Sequence, residues 1–438
     1  MKRKYALITF GCQMNRHDAE RISGILTTRG WEKTPREEEA DALILLTCCV
    51  RESAEQRLYG RLSSLKPLKA RKGAIIAVGG CLAQKEGSRL LDRAPYVDLV
   101  FGTRQYPAIA DLLDEARGSP IISTGMGNLC LAEVPCLLEE EFRAWVTVTH
   151  GCDNFCSYCI VPYVRGPEVS RDMEEVIEEV SGHVNAGVKE VNLLGQNVNS
   201  FRRKEEGRSR FGDLLRELGR RFPDIWIRFT TSHPKDFDRE IIGAVAETDS
   251  ACEHVHLPLQ AGSDRVLKDM NRGYSRGEYL EKVQYLRGMI DGLSLTTDLM
   301  VGFPGESEED FEQTLEMVEE CRFDGAYTFM YNPREGTRAA ELTNVVPNEE
   351  SQERLQRLME VTRRLTHTSL EQEVGGERVI LVEGVSRRDP LRWSGRTRNN
   401  KLVHFKRDEA DLRGRLARVR ITSSGNWSLQ GELLGLES

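Results

Sequence analysis

Three cysteines lie within eight residues of this 438-residue chain, directly after a short apolar run. Cys152, Cys156 and Cys159 form a Cys-x3-Cys-x2-Cys loop. A loop this tight presents three thiolates to one face of a cuboidal iron–sulfur cluster and leaves the fourth iron without a protein ligand. The fold must therefore leave room for a small molecule beside the loop. Tyr158, just before the last cysteine, supplies an aromatic ring against which a purine can lie.

Two other uses of such cysteines are a zinc site and a disulfide. Structural zinc takes four ligands, usually as two spaced pairs, and no fourth Cys or His follows at close spacing. A disulfide needs an oxidising compartment, and the N-terminal apolar run is too short for a signal peptide. With eleven cysteines and no membrane-length apolar run, we expect a cytoplasmic protein with no membrane contact whose thiols bind metal.

The first hundred residues alternate buried strands with amphipathic helices. Strands are predicted at residues 5–10, 42–47 and 74–78, with helices at about 18–29, 51–65 and 84–93. This order predicts a doubly wound parallel sheet. A cysteine follows each strand almost at once, at Cys12, Cys48 and Cys81.

The carboxyl ends of parallel strands meet at one edge of a sheet, where ligands bind. Three thiols spaced 36 and 33 residues apart therefore converge there, which predicts a second three-cysteine cluster. The alternative is three ordinary buried cysteines. The ligand interpretation is favoured because each lies at a strand end beside glycine or threonine, whereas a core cysteine more often lies inside the strand.

Residues 119–138 are predicted to be a linker, after which a second βα series begins. Its strands are predicted at 145–149, 190–194, 226–229, 254–257, 294–301 and 326–331, with helices at 173–186, 280–289 and 307–321. Six βα units indicate a partial (β/α)6 barrel with its active site at the strand carboxyl ends. A long amphipathic helix over 348–373 precedes period-two strands at 378–385, 415–421 and 427–433, which predict a small antiparallel β-barrel. The predicted domains are 3–118, 138–368 and 371–437.

The C-terminal module carries a charge opposite to that of the chain. The net charge is −8, yet residues 378–420 hold thirteen Lys and Arg against five Asp and Glu, a local +8. Such a run is either a solvated face or a surface for RNA. Because it coincides with a compact β-rich module, RNA binding is the favoured interpretation.

Several segments together resemble the methylthiotransferase family of radical S-adenosylmethionine (SAM) enzymes over essentially the whole chain. The matching segments are residues 9–15 (TFGCQMN), 47–51 (TCCVR), 79–84 (GGCLAQ), 151–166 (GCDNFCSYCIVPYVRG), 194–199 (LGQNVN), 228–234 (RFTTSHP), 256–260 (HLPLQ), 302–306 (GFPGE) and 395–401 (GRTRNNK). The last of these resembles the family's RNA-binding TRAM module, and its Arg396, Arg398 and Lys401 are the predicted contacts to the tRNA backbone.

The resemblance implies sulfur insertion and methylation at C2 of an adenine, with two [4Fe-4S] clusters. One SAM donates a methyl group to sulfur on the N-terminal cluster. A second SAM on the Cys152/Cys156/Cys159 cluster is cleaved to a radical that activates the C2–H. An external low-potential electron donor is also implied. No side chain deprotonates an unactivated aromatic C–H near neutral pH, so cofactor chemistry is required.

The segment at Cys12 resembles the branch that modifies isopentenyl-adenosine 37 in the tRNA anticodon loop. Branches acting on threonylcarbamoyl-adenosine or on a ribosomal-protein aspartate usually differ there. One departure from the family is at Leu46, where an asparagine is usual, followed by two adjacent cysteines. Alignment makes Cys48 the ligand and Cys49 its neighbour, and the reverse assignment stays open.

Candidate SAM contacts lie at the predicted strand ends. They are Tyr158, Gln196, Asn197, Ser232, Gln260, Gly302 and Gly305. The two glycines are equally well explained as turn residues. His150 and His233 are predicted to be structural, and Cys130, Cys136, Cys252 and Cys321 to be ordinary thiols. A different class of function, an RNA-binding iron–sulfur carrier without catalysis, leaves the barrel and the SAM-like segments unexplained.

Overall fold

The computed structural model describes residues 2–49, 52–127, 134–408 and 410–437. Its N-terminal region is one parallel sheet in the order β2-β1-β3-β4-β5-β6, with helices on both faces. The strands are β1 (Lys4–Thr9), β2 (Glu32–Lys33), β3 (Ala42–Thr47), β4 (Ile75–Gly80), β5 (Leu99–Phe101) and β6 (Ile121–Ser123). The helices are α1 (Gln13–Thr28), α2 (Glu52–Lys72), α3 (Cys81–Glu86), α4 (Arg89–Arg93) and α5 (Ile109–Glu115).

This sheet confirms the predicted doubly wound class. The central strands β3 and β4 are buried along their whole length, as expected of parallel strands covered on both faces. The linker prediction for 119–138 is wrong in part, because β6 pairs with β5 at the sheet edge beyond residue 118. The helix predicted over 84–93 is two shorter helices separated by Gly87, whose φ is +53°.

The central region is a partial barrel of six parallel strands in two hydrogen-bonded sheets, β11-β10-β7 and β12-β13-β14, joined by a bridge from Ile227 to Ala251. Its strands are β7 (Arg143–Thr147), β10 (Glu190–Leu194), β11 (Trp226–Thr230), β12 (His254–His256), β13 (Ser294–Val301) and β14 (Gly325–Met330), and a short antiparallel pair is formed by β8 (Thr149–His150) and β9 (Val169–Ser170). The helices are α6 (Val161–Arg165), α7 (Met173–Asn185), α8 (Arg203–Glu206), α9 (Phe211–Arg221), α10 (Arg239–Glu247), α11 (Asp264–Asp269), α12 (Arg276–Met289), α13 (Glu308–Cys321) and α14 (Asn348–Glu371).

Local sequence sets the helix starts of this barrel. Ser275 and Glu278 form a reciprocal capping box at α12, and Ser307 and Asp310 form another at α13. One hydrophobic cluster between the strands and the outer helices forms the core of the barrel. The strand carboxyl ends are thereby held as a rigid rim, on which the candidate site lies.

The C-terminal region is a closed five-stranded barrel in the order β15-β16-β17-β19-β18. Its strands are β15 (Glu377–Val385), β16 (Arg392–Thr397), β17 (Leu402–Lys406), β18 (Leu416–Ser424) and β19 (Leu429–Leu436). The small barrel was predicted, but β16 and β17 were not: the segment 395–401, which contains the end of β16 and the turn before β17, was interpreted as a loop. The barrel closes through a parallel β17–β19 pair, so it is not wholly antiparallel.

The small barrel packs against the amino-terminal ends of the central strands. Arg143 and Arg228 both bind Glu190, with Nε–Oε distances of 2.5 and 2.7 Å, and all three are buried. Arg228 also donates to the carbonyl of Thr397 (2.8 Å), and Arg143 donates to Glu383 (2.6 Å). The small barrel therefore caps the end of the central barrel opposite the strand carboxyl ends.

In the parts of the chain that the structure describes, no helix is long and apolar enough to cross a membrane.

Candidate active site

The N-terminal cysteines lie at the carboxyl edge of three neighbouring strands, as the sequence predicts. Cys12 precedes α1, Cys48 follows β3, and Cys81 begins α3 directly after β4. Gly11 has a φ of +136°, and a Cβ there would lie 2.6 Å from the Cβ of Cys48. Glycine is therefore required for the chain to pass this closely beside a thiol.

The four thiols of this region form two pairs. A hydrogen bond from Cys48 lowers the pKa of Cys12 to about 6, and one from Cys49 lowers the pKa of Cys81 to about 7, in both cases despite burial. The same contact with Cys81 raises the pKa of Cys49. These contacts therefore favour the thiolates of Cys12 and Cys81, and thiolates are the form that binds metal.

The second cysteine loop lies between β8 and α6. Gly151 has a φ of +81°, and its missing side chain leaves space for the carbonyl oxygens of Gly166 and Pro167. The Cys152 N–H donates to the Gly166 carbonyl at 3.2 Å. The Gly151 N–H donates to Oε1 of Gln196 at 2.6 Å. Gln196 thus supports the loop from the end of β10.

Cys156 receives two side-chain contacts. Arg272 Nη1 donates to its Sγ at 3.3 Å, and His233 Nε2 lies 3.9 Å from the same sulfur. Because His233 Nδ1 accepts the Lys235 N–H, the proton of the neutral ring is on Nε2, which donates to sulfur. Burial lowers the pKa of His233 and keeps it neutral. Burial raises the pKa of Cys152 to about 11 and that of Cys159 to about 12.

Each of the two sites brings together three cysteines, and cysteine thiolates are the usual ligands of iron–sulfur clusters. Over the described residues, no three His, Cys, Asp or Glu side chains are arranged to hold one metal ion. The three thiolates of a cuboidal cluster bind three different irons and therefore lie further apart than the ligands of one ion. N–H groups that donate to Cys81 and Cys156 sulfur are the contacts that tune such clusters.

Two predicted SAM contacts have unsatisfied oxygens. Asn197 is 1% exposed and donates from Nδ2 to Asp236 at 2.7 Å, but its Oδ1 is buried without a hydrogen-bond partner among the described residues. Ser232 Oγ, at the end of β11, is in the same state. A buried polar atom is rarely left unpaired in a complete structure. Both residues therefore fit a polar ligand at this rim.

The other predicted SAM contacts have roles in packing or backbone geometry. Gln260 has a φ of +72°, and its backbone bridges Asp298 and Met300. Gly302 and Gly305 have φ of +72° and +82°, and side chains there would collide with Ser351 and Asn344. Tyr158 packs against a small apolar cluster that includes Phe303, and its hydroxyl lies 3.4 Å from Arg272 Nη1. Their contact with SAM stays a prediction.

Three further described cysteines, Cys136, Cys252 and Cys321, belong to neither triad. Cys321 is in the core of the central barrel, and Cys252 packs with Phe142 and Trp226 beneath the small barrel. Cys136 lies 4.0 Å from the carboxylate of Glu20. Cys130 lies outside the described residues.

Sequence reasoning missed the arginines around the two triads. Arg272 belongs to no segment that carried the resemblance, so no pattern marked it. Arg165 stands in the quoted segment 151–166, but nothing in the sequence shows that it reaches the other triad, where its Nε donates to Cys81 Sγ at 3.3 Å. His150 was predicted to be structural, and its Nε2 accepts from Arg165 at 3.2 Å.

Comparisons with family descriptions match three parts of the chain. Residues 146–318 match the Radical SAM superfamily, residues 4–102 match Uncharacterized protein family UPF0004, and residues 371–434 match the TRAM domain. Among solved structures, the chain is similar to the radical SAM methyltransferase TsrM from Kitasatospora setae. The TM-score is 0.56 at 13% identity, covering 78% of this chain and 77% of that one. The partial barrel and its cysteine loop thus define a radical SAM enzyme.

Similar sequences narrow the assignment further. A tRNA-2-methylthio-N(6)-dimethylallyladenosine synthase from Moorella thermoacetica is 47% identical over 99% of both chains. A protein of the same name from Carboxydothermus hydrogenoformans is 44% identical, over 99% of this chain and 100% of that one. The chain belongs to the tRNA-2-methylthio-N(6)-dimethylallyladenosine synthase family.

Proposed function

We propose that this enzyme adds a methylthio group to C2 of N6-isopentenyladenosine 37 in the anticodon loop of tRNA, giving 2-methylthio-N6-isopentenyladenosine. The relatives that carry this activity in their names match the chain from end to end. One structural observation carries the proposal: the two cysteine triads adjoin one another. Ile160 and Val164, just after the second triad, pack in the same hydrophobic cluster as Cys49 and Cys81.

The two triads have different chemical roles. Cys152, Cys156 and Cys159 would hold the [4Fe-4S] cluster whose open iron takes SAM, and Cys12, Cys48 and Cys81 would hold a second one. When bound, the clusters and SAM supply the one-electron chemistry, the sulfur and the methyl group that no side chain provides. An external low-potential donor supplies the electrons. The reduced thiols this requires fit a cytoplasmic location.

The chain itself positions these groups and limits access to water. Gln196 holds the start of the cysteine loop, and Tyr158 within the loop packs against a small apolar cluster that includes Phe303. We assign Asn197 Oδ1 and Ser232 Oγ to polar groups of SAM, because both oxygens are buried and unsatisfied among the described residues. Gln260, Gly302 and Gly305 would contact SAM through the backbone of the same rim.

We infer that the tRNA backbone is bound outside the segment 395–401. The segment 395–401 was predicted to grip the tRNA backbone, but its charges are engaged within the protein. Arg398 binds Glu253, Lys401 binds Glu373, and Arg396 lies 3.4 Å from Glu383. Arg398 and Lys401 join the small barrel to the central region through Glu253 and Asp324, whereas Arg396 is paired within the small barrel.

Two neighbouring loops of the small barrel present exposed basic side chains. Residues 386–391 and 406–415 are joined by a hydrogen bond from the Arg407 N–H to the Leu391 carbonyl at 2.9 Å. Their exposed cations without a hydrogen bond or ion pair, counting only described residues, are Arg387, Arg388, Lys406, Arg413 and Arg415. Unpaired lysine and arginine side chains are what phosphate contacts require. We name these two loops the basic edge and assign tRNA backbone contacts to it.

The substrate assignment is tested in a strain that lacks this protein. The strain is complemented with the wild-type gene or with the Cys152/Cys156/Cys159→Ala variant, and tRNA nucleosides and ribosomal proteins are examined by mass spectrometry. We expect 2-methylthio-N6-isopentenyladenosine to return with the wild-type gene alone. Restoration of a methylthio group on threonylcarbamoyl-adenosine or on a ribosomal-protein aspartate would instead support another branch. Restoration by the variant would indicate a non-catalytic carrier.

A further inference from the structure

Arg165 belongs to the radical SAM barrel but reaches the cysteines of the N-terminal sheet. It is the last residue of α6, six positions after Cys159, and only 2% of it is exposed. Its Nε donates to Cys81 Sγ at 3.3 Å. A buried cation on the segment that carries one triad thus contacts a thiol of the other triad.

Three different nitrogens of this guanidinium bind three different partners. Besides the contact with Cys81, Nη1 donates to His150 Nε2 at 3.2 Å and Nη2 donates to Asp18 Oδ2 at 3.3 Å. Asp18 lies on α1, which begins directly after Cys12. The planar guanidinium of arginine reaches all three partners with three different nitrogens, whereas lysine has a single ammonium nitrogen.

The N-terminal sheet holds the backbone of Arg165 in return. Arg104 donates from Nη2 to the Arg165 carbonyl at 2.9 Å and to the Pro167 carbonyl at 3.2 Å. Thr103 donates to the Val164 carbonyl at 2.9 Å. These contacts satisfy the carbonyls at the end of α6, which a helix leaves unpaired. The position of Arg165 is therefore fixed by both domains.

We propose that Arg165, which belongs to the central region, is a positioning residue for the iron–sulfur cluster of the N-terminal region. The inference rests on the proposed function, because it assumes that Cys12, Cys48 and Cys81 hold a cluster. The cluster site is complete only when α6 is docked on the N-terminal sheet. The buried positive charge and its N–H···S bond stabilise the more negative, reduced form of the cluster, so loss of Arg165 lowers its reduction potential.

The experiment isolates the N-terminal cluster in the Cys152/Cys156/Cys159→Ala background. Into it we place Arg165→Met, which removes the charge, Arg165→Lys, which keeps the charge without the fork, and Arg272→Met as the matched control. Arg272 is also buried and also donates to a cysteine sulfur at 3.3 Å, but in the other triad. Iron content, the rate of iron loss to a chelator and the reduction potential from EPR-monitored titration are measured after anaerobic reconstitution.

We expect Arg165→Met to lose iron to the chelator roughly 10–100-fold faster and to lower the reduction potential. Arg165→Lys should recover part of the potential, and Arg272→Met should match the background in both readouts. If Arg165 had a purely structural role, its loss would change the rate of iron loss to the chelator. It would not produce a change in reduction potential that Arg165→Lys partly reverses. Unchanged potential and iron retention in Arg165→Met would overturn the proposal, as would equal effects of Arg272→Met.

Failure of Arg165→Met to fold and failure of the background protein to bind iron are two further outcomes. If Arg165→Met does not fold, judged by circular dichroism and gel filtration, the potential of Arg165→Lys decides: a value equal to that of the background overturns the proposal and a lower one supports it. If the background protein itself takes up no iron, the N-terminal cluster is absent. The proposed function then fails before the role of Arg165 is reached, and the inference falls with it.

Discussion

Arg398, in the hairpin between β16 and β17, is bound to Glu253 beneath the central barrel. Its Nη2 lies 2.7 Å from Glu253 Oε1 and also donates to the carbonyls of Asp249 and Ala251. A cation that composition alone assigns to RNA is thus an attachment between two domains. We therefore expect two separable roles in the basic segment, attachment at Arg398 and the proposed tRNA contacts at the basic edge.

The first prediction concerns this attachment. Arg398→Ala removes hydrogen bonds to a charged group and to two carbonyls, so we expect a loss of about 2–3 kcal/mol in the unfolding transition of the small barrel. Trp226, whose ring centre lies 5.9 Å from the Arg398 guanidinium, provides a fluorescence probe at the interface. Arg418→Ala, which breaks an exposed pair with Glu437, should cost less than 1 kcal/mol. Equal costs would show that Arg398 is not an attachment.

The second prediction concerns the basic edge. Arg387→Glu with Arg388→Glu should weaken tRNA binding and lower the slope of log affinity against log salt by about 1–2 units, as expected for the loss of two phosphate contacts. The control is Arg418→Ala with Arg420→Ala, since both side chains are exposed but paired with carboxylates on the same small barrel. Filter binding from low to moderate salt measures the slopes. The assignment is wrong if the control variant shows the larger change.

A third prediction compares two carboxylates whose pKa values are shifted alike. Burial alone would raise the pKa of Glu190, but Arg228 and Arg143 outweigh it and hold the pKa at about 2. Hydrogen bonds from Arg220 and Arg221 lower the pKa of the half-buried surface residue Glu217, also to about 2. Glu190→Gln leaves two buried arginines without a counter-charge and should cost about 3–5 kcal/mol. Glu217→Gln should cost less than 1 kcal/mol in the same urea titrations.

The fourth prediction is a pH dependence of stability. Burial raises the pKa of Glu20 to about 8, from an ordinary value of 4.5. The folded protein then binds one proton more than the unfolded chain between these values, so stability falls as pH rises from about 4.5 to about 8. Glu20→Gln should flatten the fall of the melting temperature between pH 5 and 8. Glu38→Gln, at an exposed position, should leave it unchanged, and an unaltered slope in Glu20→Gln would contradict the prediction.

The periodicity of apolar residues correctly predicted the strands and helices that bury one regular face in the core. The predicted strands 42–47, 190–194 and 294–301 match β3, β10 and β13, because each is a continuous or alternating apolar run. The cysteines at strand ends were found because strand direction dictates where they lie. Strand β16 was missed because its end lies in the turn-rich segment 395–401, and β17 was missed because it is a run of only five residues that becomes extended on closure of the small barrel.

Partners across domains could not be predicted from the sequence. Arg165 and Cys81 are 84 positions apart, and Arg398 and Glu253 are 145 apart. A charge count treats each of these arginines as a solvated cation. The way the domains dock decides whether a cation contacts phosphate, carboxylate or thiolate. Contacts between domains produce no periodic pattern in the sequence.

The central claim is that two cysteine triads hold two clusters with separate roles. Anaerobically reconstituted protein should bind about eight irons, and the Cys12/Cys48/Cys81→Ala variant about four. The most direct measurement follows SAM cleavage and methylthiolated nucleoside in parallel with this variant and isopentenylated tRNA. We predict that 5′-deoxyadenosine still forms while 2-methylthio-N6-isopentenyladenosine does not. Formation of the methylthiolated nucleoside by the variant would contradict the account.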